Sequence, residues 1–140
     1  MTTANVQHIQ RDGAFVVPTT TPYWLTIVSR DPALTAQDMA RIAAQIAATP
    51  VRWIAAWGCA FRQWEDALDG EIEWRMAAGT CPDPACTTGH DEEEPLADVL
   101  ALTREVASRA GARADDVHIL VVGGPTDGLD ELLSRAESDP

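Results

Sequence analysis

The residues best equipped for chemistry crowd into CPDPACTTGHDEEEP, residues 81–95. Cys81, Cys86 and His90 give a C-x4-C-x3-H spacing, within the loose range of zinc sites, where thiolate sulfur and imidazole nitrogen are good donors. Asp91 or Cys59 would complete a four-ligand set. The stretch lacks the paired C-x2-C of a strong zinc motif, so the expectation is no cofactor, with zinc as the alternative. Cys59 offers a second chemistry. It follows an apolar run and opens a helical pattern, where free N–H groups and the helix dipole favour a thiolate. With His90 as base and Asp91 beside it, Cys59, His90 and Asp91 form a candidate catalytic set. The competing expectation is that Cys59, next to Ala60 and Phe61, is a small buried hydrophobe.

The acid run has a simpler reading. Asp91, Glu92, Glu93 and Glu94 immediately precede a helix starting near Pro95, where negative charge meets the positive end of the dipole and a carboxylate can cap a free N–H. The Thr87-Thr88-Gly89-His90 segment ahead of it has no comparable explanation.

These residues need elements to hold them. YWLTIVS (23–29), VRWIAAW (51–57) and DVHILVVGG (116–124) are short and nearly continuously apolar, the pattern of strands buried on both faces. Thr35 with Asp38 forms a capping box ahead of Met39, Ile42 and Ile46 at helical spacing. Phe61, Trp64 and Leu68 trace a second helix, which Asp69-Gly70 is expected to interrupt; residues 71–77 fit a helix and a strand equally well. Leu96, Val99, Leu100, Thr103 and Ala107 mark one face of a third helix, with Glu105 and Arg109 as an i,i+4 pair. Leu129, Leu132 and Leu133 mark a fourth. Residues 1–21 read as an arm or edge strand, and 22–140 as a single domain.

Alternation of buried strands with helices predicts a small three-layer α/β/α domain with a mostly parallel sheet of about four to five strands. In such folds ligands bind beyond the carboxyl ends of the strands. That edge would gather Ser29, Arg30 and Asp31, then Gly58 and Cys59, then His90 and Asp91 if CTTG is a strand, and finally Gly123, Gly124, Thr126 and Asp127. Gly123-Gly124-Pro125 before a helix suits an anion, but the chain has no lysine and no G-x-G-x-x-G, which argues against a nucleotide. His118, inside a strand, reads as a hydrogen-bonded core histidine. Among the five tryptophans, Trp74 is expected to be the exposed one.

Residues 53–106 resemble a small uncharacterised bacterial α/β family. The shared pattern is Trp57-Gly58, then Trp64-Glu65-Asp66, then Thr87-Thr88-Gly89-His90, then Glu94-Pro95-Leu96 and Val99. The resemblance supports the fold and implies no activity. Gly89 stands where that pattern has an aromatic residue, and the cysteine loop departs from it.

Charge narrows the function. The net charge is −12 over 140 residues. It is uneven: residues 1–80 carry six arginines against eight acids, residues 81–140 four against fourteen. Direct nucleic-acid binding needs a basic face and is not expected. No apolar run is long enough to span a membrane, and the polar start is unlike a secretion signal. Three cysteines without such a signal suggest reduced thiols, hence a cytoplasmic setting. The expected function is a small acidic cytoplasmic protein-binding or regulatory module, inhibitor- or immunity-like, acting on a basic protein partner. Its expected binding residues are Arg30, Asp31, Glu92, Glu93, Glu94 and Asp127. The alternatives are a Cys/His- or zinc-dependent enzyme at the carboxyl edge of the sheet, and a nucleic-acid mimic.

Overall fold

In the computed structural model, residues 5–16, 18–80, 83–124 and 128–138 are described, with side chains as far as 134. Their elements run β1 (Asn5–Ile9), β2 (Tyr23–Ser29), α1 (Ala36–Ala47), β3 (Val51–Gly58), α2 (Phe61–Ala77), β4 (Cys86–His90), α3 (Leu96–Arg109), β5 (Val117–Val122) and α4 (Leu129–Ser138). The five strands form one all-parallel sheet in the order β1-β5-β2-β3-β4. Every residue of β2 and β5 is buried, because both strands are central and covered on two faces.

The alternation of side chains along each strand sorts the core into two layers. Tyr23, Leu25 and Ile27 pack with Met39, Ile42 and Ile46 of α1 and with Trp64 and Leu68 of α2. On the opposite face Val28, Ala55, Trp57, Ile119 and Val121 meet Leu96, Val99 and Leu100 of α3 and Leu129 and Leu133 of α4. The three-layer α/β/α expectation holds. Polar groups inside α3's face are satisfied: the Thr26 and Thr103 hydroxyls lie 2.9 Å apart, and Trp53 Nε1–H donates to Thr103 at 3.2 Å. The Thr35–Asp38 capping box forms, and its hydrogen bonds hold the exposed Asp38 carboxyl below its ordinary range.

Three expectations need correction or refinement. Residues 71–77 are helical, and Asp69-Gly70 does not interrupt α2, which runs unbroken for 17 residues. Trp64, Leu68 and Ile72 bury one stripe through that point, so tertiary packing overrides the weak helix propensity of glycine. Open space surrounds Gly70 where a side chain would stand. Gly70→Ala is therefore expected to stabilise the fold by about 1 kcal/mol, raising Tm by about 3 °C, readable by thermal unfolding followed by circular dichroism.

Within the N-terminal segment, Asn5–Ile9 form an edge strand. All five residues of β1 pair with β5, and Phe15 enters the core beside Tyr23 and Leu25. Gln7 grips the backbone N–H and C=O of Val16 with its amide, which folds the segment back over β1.

His118 is buried, as expected, but it is not satisfied. Its ring stands edge-on to Tyr23 with centroids 5.4 Å apart, and among the described residues Nε2 has no partner. Burial pushes its pKa below the ordinary 6.5, with Asp116 and Asp115 pulling the other way. The unfolded chain thus takes up a proton near pH 6.5 that the native state resists. The neutral ring's contribution is complete above that pH and declines as pH falls toward the lowered native value. Urea unfolding at pH 7.5 and pH 5 is expected to show a smaller acid loss for His118→Phe than for the wild type.

Candidate functional site

Every residue of Thr87-Thr88-Gly89-His90 has a structural partner. The segment is β4, whose side chains alternate between the α2 and α3 faces. Toward α2, the Thr87 hydroxyl donates to Asp69 Oδ1. A side chain on Gly89 would meet Glu65 Oε1 at 2.1 Å and the Phe61 ring at 2.7 Å, so glycine lets α2 lie close on the strand. Toward α3, Thr88 Oγ1 lies 2.8 Å from His90 Nε2, and His90 Nδ1 bonds Glu94 Oε2. A carboxylate only accepts, so Nδ1–H donates to Glu94, and Nε2 shares a hydrogen bond with the Thr88 hydroxyl. Glu94 is also held through its backbone oxygen, which takes the Trp57 Nε1–H at 2.7 Å. The result is a Thr88–His90–Glu94 relay tied to β3.

This geometry revises the sequence reading. His90 has both ring nitrogens engaged within its own loop, so it is not the base for Cys59. Asp91 is a turn former: its Oδ1 accepts from Glu93 N–H and its carbonyl from Glu94 N–H, both at 2.9 Å. The acid run does not cap α3, whose N-cap is Pro95 with no side-chain hydrogen bond. Cys59 is exposed, contrary to the buried alternative. Partial burial first, then the Glu92 carboxylate, push its thiol above the ordinary 9.0, with Asp31 adding to the effect. A thiol so placed is a poor nucleophile at neutral pH. Glu92→Gln removes one opposing charge, so Cys59 is expected to react faster with iodoacetamide at pH 7.5 than in the wild type, read by mass spectrometry of the Cys59 peptide.

The zinc alternative loses its geometry as well. Cys86 and His90 stand at opposite ends of β4, about 13 Å apart at ~3.3 Å per residue, too far to share an ion. Cys81 lies outside the described residues, as does Asp127. Among the described residues no three His, Cys, Asp or Glu side chains gather to hold a metal.

The sheet's switch point lies between β2, followed by α1 on one face, and β5, followed by α4 on the other. The protein fills it with its own carboxylate. Asp31 Oδ1 accepts from Ala33 N–H at 2.9 Å, and Oδ2 lies 3.4 Å from Gly124 N. A side chain on Gly123 would meet Asp31 Oδ2 at 2.3 Å. Arg30 beside it is half-buried and engaged. The expected binding residues Arg30 and Asp31 therefore form part of the scaffold at this edge.

Among the described residues, what stays open is the outer edge of β4. It pairs with β3 on one side, and on the other its outward N–H and C=O groups face away from the sheet. Carboxylates border it. Glu65 and Asp69 lie over the strand from α2, exposed Asp83 precedes it, and exposed Asp91, Glu92 and Glu93 follow it. Met76, 48% exposed, falls within about 40° of Glu65 and Asp69 around the helix, at 100° per residue. Trp74, as expected, is exposed farther round. Glu65 and Thr88 lie in the shared pattern, but neither they nor Asp69 carry a signal of this role in the sequence. The available clue was the glycine inside TTGH, since glycine in a strand marks a close approach.

A family model described as a domain of unknown function, DUF7684, matches residues 4–138, and the chain belongs to that family. Searches of curated proteins and of solved structures found no match.

Proposed function

We propose that the protein is a small regulatory binding module, inhibitor-like, that takes a basic extended segment of a partner protein against the free edge of β4. The observation that carries this reading is the unpaired edge with carboxylates at both ends and over one face. Strand addition supplies main-chain hydrogen bonds, and the acids select for arginine and lysine. The opposite edge, β1, serves this less well, because residues 5–11 contain no carboxylate. Bonds from Thr87 and His90 on the two faces hold β4 in place before a partner arrives, which lowers the ordering cost of binding. A cytoplasmic setting belongs to this reading and agrees with free thiols at Cys59 and Cys86. Among the described residues no helix is long and apolar enough to cross a membrane.

Duplex mimicry is less well supported. Asp115 and Asp116 lie at the amino end of β5, whereas Asp91 to Glu94 follow the carboxyl end of β4, so the acids do not share one face. A hydrolytic reading draws on the carboxylate–imidazole–hydroxyl order of the relay. A fluorophosphonate probe separates the two: the binding module leaves Thr88 unlabelled, and labelled Thr88 would transfer the case to catalysis.

The direct test of the binding reading uses a fluorescein-tagged peptide of alternating arginine and valine, followed by anisotropy. It is expected to bind at least about 100-fold more tightly than the glutamate–valine analogue at low salt, weakening as salt screens the charges. Methylating alternate backbone nitrogens is expected to abolish binding. Undiminished binding of the methylated peptide would refute strand addition.

A further inference from the structure

The amino end of the sheet, opposite the His90 relay, holds a cavity of about 300 Å³ bounded by the close of α1, the last turns of α2 and the starts of β3 and β4. Two of the chain's ten arginines, Arg52 and Arg75, line it. In a protein of net charge −12 that convergence is notable, because basic groups elsewhere are outnumbered.

Arg75 is the anchor. Among the described residues its buried Nε–H has no partner, and one terminal nitrogen reaches the Ala44 carbonyl only at 3.5 Å. Structural duties explain part of this placement. Arg75 sits in the last turn of α2, where a cation suits the dipole, and its weak bond to Ala44 helps satisfy α1. Neither duty pairs its charge with an acid, and among the described residues no ion pair reaches Arg75. Arg52 is held more loosely, 3.5 Å from Asp83, with both side chains largely exposed, and such a pair contributes little. Asp83 offsets Arg52, so the cavity presents about one uncompensated positive charge.

Most of the remaining wall is apolar: Pro22, Val51, Ile72 and Ala85 contribute to the lining, with Thr49 and Thr80 beside them. The negative end of α1 is already answered by the protein, because Thr49 donates from both N–H and Oγ1 to the Ile46 carbonyl. We propose that this cavity binds a small organic monocarboxylate with a compact apolar body. The carboxylate pairs with a terminal nitrogen of Arg75, and the body lies against Pro22, Val51, Ile72 and Ala85. One charge matches a monoanion, and the apolar walls favour a hydrocarbon body over a bare inorganic ion. The site meets the β4 edge only at Asp83 and Ala85, and it stands whether or not that edge binds a peptide.

The test uses phenylacetate, phenylacetamide and inorganic phosphate as probes, titrated into the full chain by calorimetry with thermal shift in parallel. Phenylacetate is expected to bind one to one with Kd below about 1 mM. The neutral amide is expected to bind at least about 10-fold more weakly, since it lacks the charge that Arg75 pairs with. Arg75→Gln should abolish phenylacetate binding, with folding checked by circular dichroism. If that variant does not fold, Ala85→Phe, which fills the cavity and leaves Arg75 in place, should block binding instead. Equal binding of acid and amide, binding unaffected by either variant, or no phenylacetate binding would overturn the proposal. Arg75-dependent binding of phosphate without phenylacetate would overturn the ligand class.

Discussion

Replacing Gly58 with alanine is expected to leave no folded protein at 25 °C. Gly58 closes β3 at φ +138°, a backbone conformation that side chains with a Cβ rarely adopt. A Cβ there would stand 1.6 Å from the Ser29 carbonyl oxygen and 2.7 Å from its carbon. The obstacle is main chain, not the end of a flexible side chain. Ser29 pairs with Gly58 across β2 and β3 and with Val122 of β5, so it cannot retreat without opening the middle of the sheet. The expected cost exceeds about 4 kcal/mol against the ~5–15 kcal/mol that holds a domain together, and loss of the pairing around Ser29 adds to it. Gly79→Ala is the control. Gly79 also has positive φ, +74°, but nothing crowds the place of its Cβ. It should fold and lose only about 1 kcal/mol. Soluble yield and far-ultraviolet circular dichroism distinguish the two variants.

Reversing the charge of the loop beyond β4 should cost about 30-fold in affinity for the arginine–valine peptide. Glu92 and Glu93 are exposed, and neither carboxylate takes part in the relay or the Asp91 turn. Changing both to lysine alters four units of charge beside the proposed peptide. At about 0.5 kcal/mol per unit for exposed charges, the loss is about 2 kcal/mol, or about 30-fold. The fold should be unaffected, with an unchanged Tm. The affinity gap between wild type and variant should shrink as salt rises toward physiological strength, where the screening length is about 8 Å. Equal affinities at low salt would remove the electrostatic half of the binding proposal.

The scaffold was legible in the sequence because burial on two faces leaves a strong pattern. Continuous apolar runs gave β2, β3 and β5, and the row Leu96, Val99, Leu100, Thr103, Ala107 is the stripe that α3 buries. The Thr35–Asp38 box formed where local chemistry alone predicts it. The site was less legible because its contacts are long-range. Thr87 finds Asp69 across 18 residues, and Trp57 finds the Glu94 carbonyl across 37. Charge and residue type drew attention to Cys59 and His90, but which atoms His90 bonds depends on which face of β4 carries it. The C-x4-C-x3-H spacing misled for a related reason: a zinc knuckle needs a compact loop, and here Cys86 to His90 is extended strand. Gly70 misled in the other direction, since a Trp64, Leu68, Ile72 stripe outweighs one glycine.

The decisive measurement is an amide-resolved NMR titration of the ¹⁵N-labelled chain with the arginine–valine peptide. Strand addition predicts the largest shifts, and slowed hydrogen exchange, at alternate residues of Cys86–His90, with smaller shifts at Asp69, Met76 and Asp91 to Glu93. The amides of β1 should remain unmoved. Shifts concentrated on β1, or spread evenly over the acidic surface without protection in β4, would contradict the assignment of this edge as the binding site.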